Sequence, residues 1–193
     1  FREYDIRGVA DSELTDRTVR LIGQAYGTWL MRHGIREATL GGDARLSTKR
    51  IKGAAAAGMM KAGISVTDLG LCSTPTFYWS LYRFKLDGGI MVTGSHKPKE
   101  YNGLTVALGK TTIWGDDIQE LYRIIDGDEM ATASTPGSLR FADINSEFID
   151  MLVSKISLGQ RKPKIVCDSG NGTGGMYAPE FLRRIGCDVT DLY

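Results

Sequence analysis

The side chains best spaced for chemistry lie in Val92-Thr93-Gly94-Ser95-His96-Lys97-Pro98-Lys99-Glu100-Tyr101-Asn102-Gly103. An apolar run, Gly88 to Thr93, reads as a strand and runs directly into Ser95. A hydroxyl at the C-terminal end of a strand sits where open α/β sheets place their ligands. Lysines and main-chain N–H groups around it suit an anion, above all a phosphate. His96 invites a nucleophile–base reading. On an extended segment, however, adjacent side chains point to opposite faces, so His96 is expected to be poorly placed to deprotonate Ser95. The chain also lacks a Gly-x-Ser-x-Gly elbow, which argues against an α/β-hydrolase.

Three further segments carry weaker signals. Arg7, in Tyr4-Asp5-Ile6-Arg7-Gly8, offers a guanidinium for an anion, with an ordinary surface ion pair as the plainer reading. Gly41-Gly42-Asp43-Ala44-Arg45-Leu46-Ser47 joins a strand to a helix whose N-terminus suits an anion, or else Asp43 and Arg45 brace the loop. Gly170-Asn171-Gly172-Thr173-Gly174-Gly175 matches Gly-x-Gly-x-x-Gly, with Asp188 and Asp191 near the offset of a ribose-binding acid. It supports an alternative, an NAD-binding oxidoreductase fragment.

The elements that must position these residues alternate between strand and helix. Thr15 is expected to cap a helix to His33, with Val19, Ile22, Tyr26, Trp29 and Leu30 inward and Gly34 as its stop. A strand, Ala38 to Gly41, precedes a helix capped by Ser47 and running to about Ala62. Ile64 to Leu69 alternates as a strand does, and Thr74-Pro75-Thr76 opens a helix through Phe84. Leu104 to Leu108 and Thr111 to Ile113 flank Gly109-Lys110, a hairpin signal. Asp116 to Gln119 has capping-box spacing ahead of a helix to Ile125. Asp128 to Asp143 reads as a linker or edge segment. An amphipathic helix around Phe148 to Ile156 follows, then a strand from Lys164 to Cys167, the glycine loop, a helix to Ile185 and a strand from Asp188 to Tyr193. The expected fold is a three-layer α/β/α domain with a mixed sheet over 1–140, plus the incomplete start of a second similar domain over 141–193.

Bulk properties exclude several classes. Hydrophobic residues at 42% and charged residues at 24% fit a soluble globular protein, and a net charge of +1 gives no case for nucleic acid or an anionic membrane. No apolar run approaches a membrane span. Cys72, Cys167 and Cys187 are too scattered for a disulfide framework or a zinc site, and fit a reducing cytoplasm. The chain starts at Phe1 and stops in mid-strand at Tyr193, so a longer protein with further C-terminal domains is expected.

In family order, Phe1-Arg2-Glu3-Tyr4-Asp5-Ile6-Arg7-Gly8, the Gly41 to Ser47 segment, the serine loop and Asp168-Ser169-Gly170-Asn171-Gly172 span nearly the whole chain. On these residues the chain resembles the N-terminal part of the α-D-phosphohexomutases, the phosphomannomutase and phosphoglucomutase family. The resemblance implies a four-domain enzyme in which Ser95 carries a phosphoryl group. That group would pass to a hexose 1- or 6-phosphate (mannose or glucose), giving a bisphosphate that turns round and rephosphorylates Ser95. It implies Mg²⁺ bound to a phosphoryl oxygen of Ser95 and to aspartates of a later domain, with hexose 1,6-bisphosphate as activator. With Lys97 added as a departure from the family pattern, the catalytic candidates are Ser95, His96, Arg7 and Lys97, and the phosphate-binding ones Arg7, Lys97 and Asn102. His96 is expected to orient the site rather than act as base. The isolated chain is expected to lack turnover.

Three positions depart from the family pattern. Lys97 stands where the family usually has asparagine, Thr105 where it has a lysine suited to general acid–base work, and Gly42 where it has arginine. Either Lys97, whose side chain spans ~6 Å, takes over the missing cation's task, or the protein is a degenerate, non-catalytic phosphosugar binder.

Overall fold

Apolar runs too short for helices become the strands of a mixed sheet in the computed structural model, which describes residues 1–192. The chain divides into two compact units, 1–142 and 143–193. In the first, strands β1 (Ile6–Val9), β2 (Glu37–Gly42), β3 (Ser65–Leu71), β4 (Gly88–Val92), β5 (Tyr101–Leu108), β6 (Thr111–Thr112) and β7 (Leu139–Phe141) alternate with helices α1 (Asp16–Arg32), α2 (Thr48–Lys61), α3 (Thr74–Arg83) and α4 (Asp116–Asp126). The sheet order is β1-β5-β4-β2-β3-β7, with β6 paired to β5. β4, β2, β3 and β7 run parallel, while β5 is antiparallel to both β4 and β1. Every residue of β4 is buried, as its unbroken apolar run requires.

Helices α1, α2 and α4 share one core with Leu40, Ile90, Leu104 and Val106. On the opposite face α3 lays Phe77 against Gly41 and Gly89. The result is a three-layer α/β/α arrangement. Helices α1 and α2 approach backbone to backbone: a Cβ on Gly58 would lie 2.2 Å from the Arg20 carbonyl oxygen, and one on Gly23 2.4 Å from that of Ala55. No larger residue permits that spacing. The Tyr26 hydroxyl reaches from α1 into the sheet. It accepts from the Gly89 N–H at 2.6 Å and donates to the Ala107 carbonyl at 2.7 Å, tying β4 to β5.

Caps differ from the sequence expectation where a hydroxyl or carboxylate is used elsewhere. Thr15 caps α1 as expected, its Oγ1 accepting from the Thr18 N–H at 3.2 Å. Ser47 does not cap α2; it is already in helical conformation, and its hydroxyl accepts from Asn102 Nδ2 at 2.9 Å. The capping box at Asp116 does not form, because Gly115, at φ +57°, is the N-cap and Asp116 is the first helical residue. The 128–143 segment contributes β7, an edge strand parallel to β3.

The second unit holds α5 (Asn145–Lys155), β8 (Lys164–Cys167), α6 (Ala178–Arg184) and β9 (Asp188–Asp191), with β8 and β9 parallel. Of the strand expected from Asp188 to Tyr193, the last residue lies outside the described residues. The glycine loop leads into a 3-10 turn, Thr173–Met176, before α6 begins. A dinucleotide fingerprint opens directly into its helix, so this loop departs from that geometry.

Candidate active site

β4 ends at Val92, and the chain reverses in a turn closed by the Lys97 N–H donating to the Gly94 carbonyl at 3.0 Å. Ser95 occupies the turn at φ +51°, in the left-handed region. For a serine that costs of the order of 1–2 kcal/mol, which surrounding contacts must offset. The Ser95 N–H donates to Thr93 Oγ1 at 3.0 Å, and the Gly94 N–H to Asp43 Oδ2 at 3.1 Å. The Gly94 carbonyl accepts from Arg7 Nη1 at 2.7 Å. Arg7 reaches it because β1 pairs with β5 in a register that sets Arg7 opposite Gly103. Its Nε is held by Asp5 at 2.5 Å.

Beneath the turn lies Arg45. Its Nη1 donates to the carbonyls of Pro98 at 2.6 Å and Tyr101 at 3.0 Å, and its Nη2 to those of Ser95 at 3.1 Å and Lys97 at 2.5 Å. Asp43 flanks it, with Oδ2 3.5 Å from Arg45 Nε and Oδ1 accepting from the Arg45 N–H and from Thr48 Oγ1. A Cβ on Gly94 would fall 2.2 Å from Arg45 Nε, so only glycine fits over the guanidinium. Asp43 and Arg45 are thus the braces of the serine loop. Asp-x-Arg after a strand was the available signal, and the number of carbonyls gripped was not readable from it.

The structure brings Ser95, His96, Lys97 and Arg7 to one loop. Ser95, His96 and Lys97 are exposed, and Arg7 is half-buried. Two expectations are corrected. His96 Nδ1 lies 3.1 Å from Ser95 Oγ, because the segment is a turn with a left-handed serine and not an extended strand. Asn102, expected to bind phosphate, is fully buried, its Nδ2 donating to Ser47 Oγ and Thr48 Oγ1 and its Oδ1 accepting from the Gly103 N–H at 2.8 Å. It ties the loop's outgoing strand to the start of α2.

The departing positions have physical settings. Among the described residues the Lys97 ammonium makes no hydrogen bond or ion pair, while its main chain is fixed at both N–H and carbonyl. Thr105 lies in a shallow groove with Tyr4, Thr111, Thr112 and Trp114. The Glu3 carbonyl accepts from the Gly115 N–H at 2.7 Å and joins the two aromatic-bearing segments, which sequence reasoning did not single out. At Gly42 a Cβ would meet Thr48 Cγ2 at 2.4 Å and Lys52 Cδ at 2.7 Å. The Lys52 stem fills that space, its ammonium paired with Asp68 and donating to the Gly70 carbonyl at 2.8 Å. Among the described residues no group of three or more His, Cys, Asp or Glu side chains could hold a metal. No helix among them is long and apolar enough to cross a membrane.

Known proteins share this architecture. The family model for phosphoglucomutase/phosphomannomutase, alpha/beta/alpha domain I, matches residues 1–132. A phosphoglucomutase of Neisseria meningitidis is 37% identical over 193 residues, covering all of this chain and 42% of the relative. A phosphomannomutase/phosphoglucomutase of Pseudomonas putida is 33% identical, covering all of this chain and 41% of the relative. The crystal structure of a phosphoglucomutase/phosphomannomutase family protein from Burkholderia thailandensis superposes with a TM-score of 0.92 at 35% identity, over 99% of this chain and 43% of that one. The chain therefore spans about two-fifths of the length of the relatives it matches. It belongs to the phosphoglucomutase/phosphomannomutase family.

Proposed function

We propose that the whole protein interconverts hexose 1-phosphate and hexose 6-phosphate through a phosphoserine at Ser95. The observation that carries this reading is an exposed serine in a left-handed turn at the end of the central strand, braced by Arg7 and Arg45. In the forward step the bond between phosphorus and Ser95 Oγ breaks and one to a sugar hydroxyl oxygen forms, and in the net step the proton leaves that hydroxyl and a proton returns to Ser95 Oγ. In the return step the other phosphoryl of the bisphosphate passes to Ser95 Oγ. Such transfers need in-line positioning and charge stabilisation more than covalent machinery. Arg7 and Lys97 supply positive charge. The 3.1 Å contact of His96 Nδ1 with Ser95 Oγ supports a role in orienting the hydroxyl and holding its proton.

Mg²⁺ fits this reading through one donor. Ser95 lies on an exposed face, which leaves its phosphoryl oxygens open to a cation, and the carboxylate ligands would come from elsewhere in the whole protein. The ion would neutralise phosphoryl charge when bound. Hexose 1,6-bisphosphate would load the serine. The second unit would begin a second similar domain, and three free thiols support a cytoplasmic setting.

The test is labelling of the full-length protein with radiolabelled hexose 1,6-bisphosphate. Acid-stable label is expected on Ser95, and Ser95→Ala should take none and lose about 10³-fold or more in mutase rate. Equal labelling of Ser95→Ala would sink the proposal. Label without turnover would favour the phosphosugar-binding alternative.

A further inference from the structure

We propose that Arg45 is a positioning residue that shapes the serine loop into a main-chain anion site for the phosphoryl group. This rests on the reading of Ser95 as the phosphoryl carrier. The guanidinium draws the carbonyls of Ser95, Lys97, Pro98 and Tyr101 to one side of the loop. In a trans peptide the C=O and the following N–H point in opposite directions, and no peptide bond here is cis. The N–H groups of His96 and Lys99, which follow the carbonyls of Ser95 and Pro98, therefore point away from Arg45. Arg45 is one of the less exposed side chains of the loop region, whereas Ser95 to Glu100 are all exposed, so those N–H groups point towards the exposed side of the loop.

Most of the neighbouring donors are already used. The N–H of Gly94 goes to Asp43, that of Ser95 to Thr93, that of Lys97 to Gly94 and that of Tyr101 to Pro98. Among the described residues the main-chain N–H groups of His96, Lys99 and Glu100 find no protein acceptor, and of these His96 and Lys99 follow carbonyls that Arg45 holds. Turns with a left-handed residue leave such donors in a concavity suited to a phosphate oxygen. The donors are held without reorganisation, because a planar guanidinium grips several carbonyls at once. Lysine, with three donors on one nitrogen, cannot span the same four oxygens.

Isotope-labelled chain titrated with inorganic phosphate tests this by NMR, against chloride at equal ionic strength. Saturable downfield shifts of the His96 and Lys99 amides are expected, with β2 and β4 amides unmoved. Arg45→Lys keeps the charge and should weaken phosphate binding about tenfold or more, with strand amides unchanged. Wild-type chain whose His96 and Lys99 amides do not respond overturns the site, whatever the variant does. Undiminished binding by Arg45→Lys overturns the role of Arg45. Phosphate binding at these amides in a protein whose full-length form takes no label on Ser95 would refute the mutase reading and leave the anion site standing.

Discussion

The place of Ser95 after a buried strand was legible from its neighbours, whereas its conformation was not. A single dihedral, φ +51°, brings His96 Nδ1 to 3.1 Å from Ser95 Oγ, and alternation along an extended segment led to the opposite expectation. Asn102 misled for a related reason. A polar residue beside a ligand loop looks like a binding group, yet burial and three hydrogen bonds make it a brace. Lys97 is the opposite case, an exposed cation whose main chain is fixed while its ammonium is unengaged among the described residues. If it supplies the charge that Thr105 lacks, full-length Lys97→Ala should lose about 10–100-fold in kcat, with thermal stability unchanged. Adding Thr105→Lys to that variant should recover part of the rate. An unchanged rate in Lys97→Ala would end the idea of relocation.

Helices and interior strands were readable because burial imposes a period on them, as the inward row Val19, Ile22, Tyr26 and Leu30 illustrates. β1 was not, because four residues give too little period, and it is its pairing with β5 that makes it a strand. Caps failed at Ser47 and Asp116, where tertiary partners or a left-handed glycine won over local spacing. Tyr26 shows what such tertiary ties contribute. Tyr26→Phe leaves the Gly89 N–H and the Ala107 carbonyl without their hydroxyl partner and should cost about 2–4 kcal/mol in urea unfolding. Burial raises the hydroxyl's pKa well above its ordinary 10.0. Below pH 10 both states keep the proton. Above it the unfolded chain releases the proton while the folded chain retains it, so the hydroxyl's contribution falls by about 1.4 kcal/mol per pH unit. Between pH 9 and 11 wild type should therefore lose more stability than Tyr26→Phe; parallel losses would contradict this.

The two units, each taken by itself, differ in what they bury. The first closes a mixed sheet between helices on both faces, and β4 has no exposed residue. The second has β8 and β9 as its only strands among the described residues; β8 alternates between exposed and half-buried positions, and in β9 only Val189 is half-buried. Its buried side chains are Ile144, Phe148, Ile149, Tyr177 and Pro179. The sequence foreshadowed this: a lone βαβ start cannot cover both faces of its strands, and Val166 is 66% exposed. A two-stranded sheet with few apolar neighbours opens at low free energy, while a central strand exchanges only through large-scale unfolding. In this chain β8 and β9 amides should therefore exchange at least about 100-fold faster than those of β4, after correction for intrinsic rates. Hydrogen exchange followed by mass spectrometry resolves the two regions directly. Equal protection would mean that the strands of the second unit are stabilised by something other than the side chains they bury, and would overturn the view that its stability is limited by that small core.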